Sequence, residues 1–243
     1  GSEMFRTPID VVYTRRIADP LYGVKLTGKQ GGTSVGVLHS LDRSGGDPVE
    51  TLPDALNPYL DHEALYDIVR VRQDVLKNST VGVLAGRREQ QETYDRSAGI
   101  DARFALRDKW TLQGQALKSW AKDRDYRGAI AGLTPAQDSV LDDGLRDRVG
   151  ATTEGTAWTA ALDRGSRALD TGVSVTDISP HFAADMGFIP RTDQIRMSAN
   201  VNPHFYARGE SWFQSINPEI SYDRIHRHDT RRHQRDHMVD RIG

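Results

Sequence analysis

The chain has 243 residues, with 32 basic and 34 acidic side chains and a net charge of −2, so no global charge draws it to nucleic acid or to an anionic surface. It has no cysteine, which excludes disulfides, thiolate catalysis and cysteine-based zinc sites. No apolar run approaches the roughly 18–20 residues of a membrane helix, yet a mean hydropathy of −0.59 is compatible with a membrane barrel, in which alternate strand residues face a polar interior.

The start, Gly1-Ser2-Glu3-Met4, has no signal-peptide character, and Gly-Ser has the look of a cloning scar. From Val11 to about Ile225 the chain reads as short two-periodic segments cut by turn formers. Strands are expected at Asp10–Ile17, Leu21–Lys29 and Thr33–Leu41, followed by a Pro- and Gly-rich loop over Asp42–Asp61. Leu65–Val75 and Ser79–Arg88 form a hairpin about Lys77-Asn78. Ala98–Arg107 and Trp110–Lys122 form another about Asp108-Lys109.

Ala98–Arg107 carries the clearest alternation. Ala98, Ile100, Ala102, Phe104 and Leu106 share one face; Gly99, Asp101, Arg103, Ala105 and Arg107 share the other. Asp123–Val149 is a long loop with one short helix, which Pro135 opens and which runs towards Arg148. Strands resume at Thr152–Leu162 and Ala168–Ile178. Pro180–Arg191 is irregular. Asp193–Val201, Phe205–Gln214 and Glu219–His226 complete the set.

The expected fold is therefore all-β: an antiparallel up-and-down meander of about eleven strands, a β-barrel or part of one, with one short helix in a long loop. Residues 1–243 read as one barrel-like domain, taken as a piece of a longer protein, with 226–243 a polar His/Arg-rich loop or tail.

Two motifs mimic catalytic signatures. Gly23–Lys29 followed by Gln30 matches most of a phosphate-binding loop, but Gln30 replaces the magnesium-binding hydroxyl and a strand follows where a helix is needed. Gly32-Thr33-Ser34-Val35-Gly36 matches a nucleophile elbow, which requires a strand–turn–helix setting. Both fit a Gly-rich hairpin better.

His226, His228, His233 and His237 offer imidazoles for a metal, but four arginines interleave with them and would repel a dication. No metal or other cofactor is expected, and a solvated polar segment is the simpler reading. Asp101, Arg103, Arg107 and Arg196 lie on polar strand faces, where they either line a lumen or pair across strands. Trp110, Trp120, Trp158 and Trp212 lie in or beside strands, as in an interfacial belt or a soluble core. No carboxylate pair has the character of an acid and a base, and no catalytic residue is assigned.

Several stretches in order resemble a known family: Val12–Ile17, Gly23–Lys29, Ser34–Leu38, Tyr66–Asp74, Ser97–Asp101 and Met186–Asp193. They are similar to the β-barrel region of uncharacterised bacterial envelope proteins whose members usually carry a family 9-like carbohydrate-binding domain ahead of it. Some members are labelled membrane-associated hydrolases. The resemblance spans about Val11–Ile225 and rests on order and spacing, not on one motif. It implies an outer-membrane location in a Gram-negative bacterium, outer-membrane lipid as surroundings and a role near glycans. It transfers no catalytic residue.

The sequence thus points to a non-enzymatic outer-membrane barrel that holds or passes glycan-derived ligands through a polar lumen. The alternatives are a soluble β-domain of the periplasm or cell surface that binds carbohydrate or a protein, and an envelope hydrolase. Nucleic acid is not an expected partner, and the oligomeric state is not legible. The apolar face is short of Leu, Val and Phe, with Gly82, Gly86, Gly114, Ala116 and Ala160 assigned to it, and Asp67 and Asp177 share faces with apolar neighbours.

Overall fold

The computed structural model describes residues 2–43, 56, 57, 59, 62–139, 150–207, 213–228 and 237–241, with the backbone alone at Ser2, Asp108 and 237–241. Its strands are β1 (Pro20–Gln30), β2 (Thr33–Asp42), β3 (Ala64–Asp74), β4 (Thr80–Gln90), β5 (Thr93–Ala105), β6 (Trp110–Lys122), β7 (Thr152–Arg164), β8 (Leu169–Ile178) and β9 (Gln194–Pro203). After these come a two-residue pair, β10 (Phe205–Tyr206) and β11 (Ser215–Ile216), then β12 (Glu219–His226) and β13 (His237–Arg241).

Eleven strands form one antiparallel sheet in the order β1 to β9, β12, β13, while β10 and β11 pair only with each other. The all-β meander is therefore as the alternation predicts. The sheet is open, because β1 and β13 are its two edges.

Local chemistry explains the turns. Gly31 and Gly32, both at positive φ, close the β1–β2 hairpin in a conformation that side chains resist. Asn78 and Lys109 take the same left-handed region in the next turns. Gln91 does so between β4 and β5, a turn with no Gly, Asn or Pro to announce it. Two short helices, α1 (Arg127–Ala131) and α2 (Pro135–Asp138), lie in the β6–β7 connection. Thr134 caps α2 through a reciprocal bond with Gln137. The stretch expected to extend that helix to Arg148 lies outside the described residues beyond Ser139.

Three expectations differ. Asp10–Ile17 is not a strand: it contains one 3-10 turn (Thr14–Arg16) and runs across one face of the sheet. Among the described residues of Phe205–Gln214, only Phe205 and Tyr206 are strand. His237–Arg241, placed in a polar tail by its composition, forms β13 against β12.

The core lies on one face of the sheet. Leu38, Ile68, Leu84, Leu117, Ala157 and Ile178 point to that side. Phe5, Ile9 and Val11 of the N-terminal segment and Phe182, Ala184 and Met186 of the β8–β9 connection cover them. Small residues set the approach. A Cβ on Gly155 would sit 2.3 Å from the Phe182 Cα, and one on Gly86 2.9 Å from the Met186 side chain. The Tyr13 amide donates to the Met186 carbonyl at 2.6 Å and the Phe188 amide to the Asp10 carbonyl at 2.9 Å, so the two covering segments are tied together.

Candidate functional site: a bare apolar band and a polar cavity on the covered face

The apolar alternates of β5 lie on the face that none of the described residues covers. Ile100 is 61% exposed, Val173 53%, Val83 51% and Trp158 42%. The register joins them in rows. Val35, Val71, Val83, Ile100, Ala116 and Trp158 pair in sequence across six strands. A second row runs Phe104, Leu112, Leu162, Val173, Ala199, Tyr222. Gly82 and Gly86 face the covered side, so the bare face is less poor in large side chains than its sequence implies. Among Ala102, Gly114 and Ala116 the band has an open apolar depression bordered by Val83, Ile100 and Trp158.

Charge bounds the band along a defined line. From β2 to β5 the line is level: His39, Asp67, Arg87 and Arg96 occupy one row. His39 Nδ1 lies 2.6 Å from Asp67 Oδ1, and Arg87 Nε donates to Asp67 Oδ2 at 2.8 Å. Asp67 is therefore a paired boundary residue. Beyond β5 the line descends overall, although on β7 it is still Glu154, in the row of Trp120 and Arg96 and ion-paired with Lys118. On β6 it is Lys118, opposite Ala98. On β8 it is Asp177, in the row of Trp158, Ala116 and Ile100. On β12 it is Arg224, in the row of Met197, Val175, Ala160, Gly114 and Ala102. Asp177 is also paired: His228 Nε2 lies 2.8 Å from its Oδ1, while His228 Nδ1 lies 3.2 Å from Asp193 Oδ1.

Measured along β5, the boundary moves from residue 96 to residue 102 across five inter-strand steps. At about 3.3 Å per residue and about 4.8 Å per strand this is roughly 20 Å down against 24 Å across, a slope near 40°. That is the tilt of strands in a barrel. Trp120 and Trp110 mark the two ends on β6, ten residues apart on the bare face. Their separation is roughly 33 Å of strand, or about 25 Å at that tilt. Trp158 lies inside the band, and Trp212 lies outside the described residues.

The opposite face is polar where the cover leaves it. Arg70 is 2% exposed and reaches over Gly82 to a bidentate pair with Asp101; its Nη2 donates to Asp101 Oδ1 at 2.8 Å, and its Nη1 bonds the other oxygen. A Cβ on Gly82 would strike that guanidinium. Gln115 Oε1 accepts from the Ile9 amide at 2.7 Å, which pins the N-terminal segment. Asp101 and Arg196 share the row Gly82, Asp101, Gln115, Thr159, Thr176, Arg196. Arg196 pairs with Asp223 of β12. Arg103 leans to the Asn78 carbonyl at 3.4 Å, and Arg107 lies in an exposed 3-10 turn. Asp101, Arg103 and Arg196 thus lie on one side of the sheet and Arg107 in the turn beyond β5, without converging on a single site.

At the other end of this face lies a polar cavity of about 230 Å³ lined by Arg88, Asp95, Lys122, Asp123, Arg124 and Asp185, among others. None of these residues stands out in the sequence, because the loop carrying Asp185 must fold back before it meets Asp95.

The motif look-alikes dissolve into strand. Gly23–Gln30 is part of β1, and Ser34 pairs with Lys29 and Arg72 in a plain ladder. His226 ends β12 opposite Ile195, His237 opens β13, and His233 lies outside the described residues. Among the described residues no three His, Cys, Asp or Glu side chains gather as a metal site, and no helix is long and apolar enough to cross a membrane, which says nothing of strands.

Compared with known proteins, the chain matches no family model, no curated protein and no solved structure.

Proposed function

We propose that the protein is a non-enzymatic outer-membrane β-barrel protein, with the bare band against lipid and the covered face turned to a polar interior that holds a glycan-derived ligand. The observation that carries the membrane part is the charged boundary descending at about 40° across β5–β12. A flat membrane surface cutting tilted strands draws such a line. Eight inter-strand steps from β2 to β12 make the band about 38 Å wide, and with a height of about 25 Å it covers on the order of 900 Å². Soluble monomers rarely leave a patch that large.

Tryptophans at the two band ends fit interfacial anchors. Hydrocarbon does not tolerate bare sheet edges, so this reading requires β1 and β13 to be joined by further strands or by a second copy. The glycan and Gram-negative parts rest on the family resemblance. The packed cover of Phe5, Val11, Phe182 and Met186 favours holding a ligand over passing one.

Quenching by brominated phosphatidylcholine tests the placement. Single-tryptophan variants retaining Trp158 should be quenched by acyl-chain bromines more than those retaining Trp110 or Trp120. Those retaining Trp110 or Trp120 should respond most to bromines near the headgroup. Equal, weak quenching at all three positions would refute it.

A further inference from the structure

The cavity between the β4–β6 strand ends and the β8–β9 connection contains a group whose surroundings in the fold do not satisfy it. Asp95 is 2% exposed, and neither carboxylate oxygen meets a donor in hydrogen-bonding geometry, although the Asp185 backbone lies alongside. A buried carboxylate without donors is costly, and such a group calls for a partner that the chain does not supply. Asp185 faces the same cavity and adds a second carboxylate.

Across the cavity, the arginines are held from behind. Arg88 Nε donates to the Tyr66 hydroxyl at 3.2 Å and Arg88 Nη2 to Gln90 Oε1 at 2.8 Å. Arg124 Nη2 donates to the same Gln90 oxygen at 3.3 Å, and its guanidinium lies over the Tyr59 ring.

Charge selects the ligand class. Two guanidiniums (Arg88 and Arg124) and the acidic side chains of Asp95, Asp123 and Asp185 line it, so both signs meet inside, while the Lys122 ammonium lies on the bare face 3.6 Å from Glu92 Oε2. A simple anion is opposed by the carboxylates and a simple cation by the guanidiniums. A zwitterion would need a guanidinium fork for its carboxylate, and Arg88 already spends Nε and Nη2 on Tyr66 and Gln90. Hydroxyl groups suit it best, because each donates one hydrogen bond and accepts others.

We propose that this cavity binds one small, uncharged, hydroxyl-rich ligand of monosaccharide size, with hydroxyls donating to Asp95 and Asp185 and accepting from the cationic side. The volume of about 230 Å³ is below that of a drug-sized pocket and suits a single ring. This deepens the ligand-holding reading above and rests on it, but does not depend on the bare band meeting lipid.

Titration calorimetry on the whole chain in detergent micelles tests it, with D-glucose, D-galactose and myo-inositol as probes and glycine as the zwitterionic control. At least one polyol should bind with a Kd in the millimolar range or tighter. Asp95→Asn and Asp185→Asn should each weaken that binding at least tenfold, with unchanged circular dichroism, while glycine gives no heat. Absence of heat from all three polyols, binding by glycine alone, or full affinity in both variants would overturn it. Bromolipid quenching on the same sample separates the two claims: a sample whose tryptophans report lipid but which binds no polyol loses only the cavity assignment.

Discussion

Arg70 and Asp101 are the pair on which the covered face depends. Arg70 is almost wholly shielded, and its guanidinium crosses Gly82 to reach Asp101 two strands away. Removing one partner leaves a buried charge uncompensated, at a typical cost of about 3–5 kcal/mol. Asp101→Ala should therefore lower unfolding stability by about that much in denaturant titration, and Asp101→Asn by less, because its amide oxygen still accepts a bond. A loss below about 1 kcal/mol for Asp101→Ala would show that the pair does not hold this face together. Gly155 acts through space alone. Because an added Cβ meets the backbone of Phe182, Gly155→Ala should lift the covering loop. The Ala183 amide, which donates to Ser119 Oγ at 3.1 Å, should then exchange with deuterium much faster. Unchanged exchange would mean the loop is seated by other contacts.

At the scale of elements, the β9–β12 connection is braced by His204. Its ring contacts Asp170 Oδ2 at 2.9 Å and Asn217 Oδ1 at 3.0 Å, and these bonds raise its pKa above that of free histidine. A raised folded-state pKa contributes stability that is fully present below the unfolded value of about 6.5. That contribution is lost as pH rises through the folded value. The imidazole resonances should titrate above those of an exposed histidine, and His204→Gln should remove this segment's pH dependence. Titration at or below the free value would contradict the bracing.

The strands themselves were legible because alternation and turn residues agree. β6 and β12 match their expected bounds, and β3 and β4 nearly so. The β4–β5 turn was hidden because Gln91 adopts positive φ without a turn-forming residue. Asp10–Ile17 alternates like a strand, but its apolar side chains pack on the covered face through side chains and not through a ladder. The cavity could not be read at all, since Asp95 and Asp185 are brought together only when the loop seats on Gly155 and Gly86. The family resemblance raised an expected location and ligand class, not residues.

At the scale of the molecule, the two faces divide the work. One face carries apolar rows with a tilted charged border; the other buries a core, an ion pair and a polar cavity beneath two covering segments. The absence of native cysteine makes the division directly measurable by spin labels at single introduced cysteines, with oxygen and a water-soluble nickel chelate as relaxing agents. Labels at residues 83, 100, 112 and 173 should be reached by oxygen and shielded from nickel in lipid vesicles. Labels at 87, 96 and 177 should be reached by nickel. The crossover should descend from residue 96 on β5 to residue 177 on β8, following the register. Nickel access to residue 100 equal to that at residue 96 would contradict a lipid-facing band.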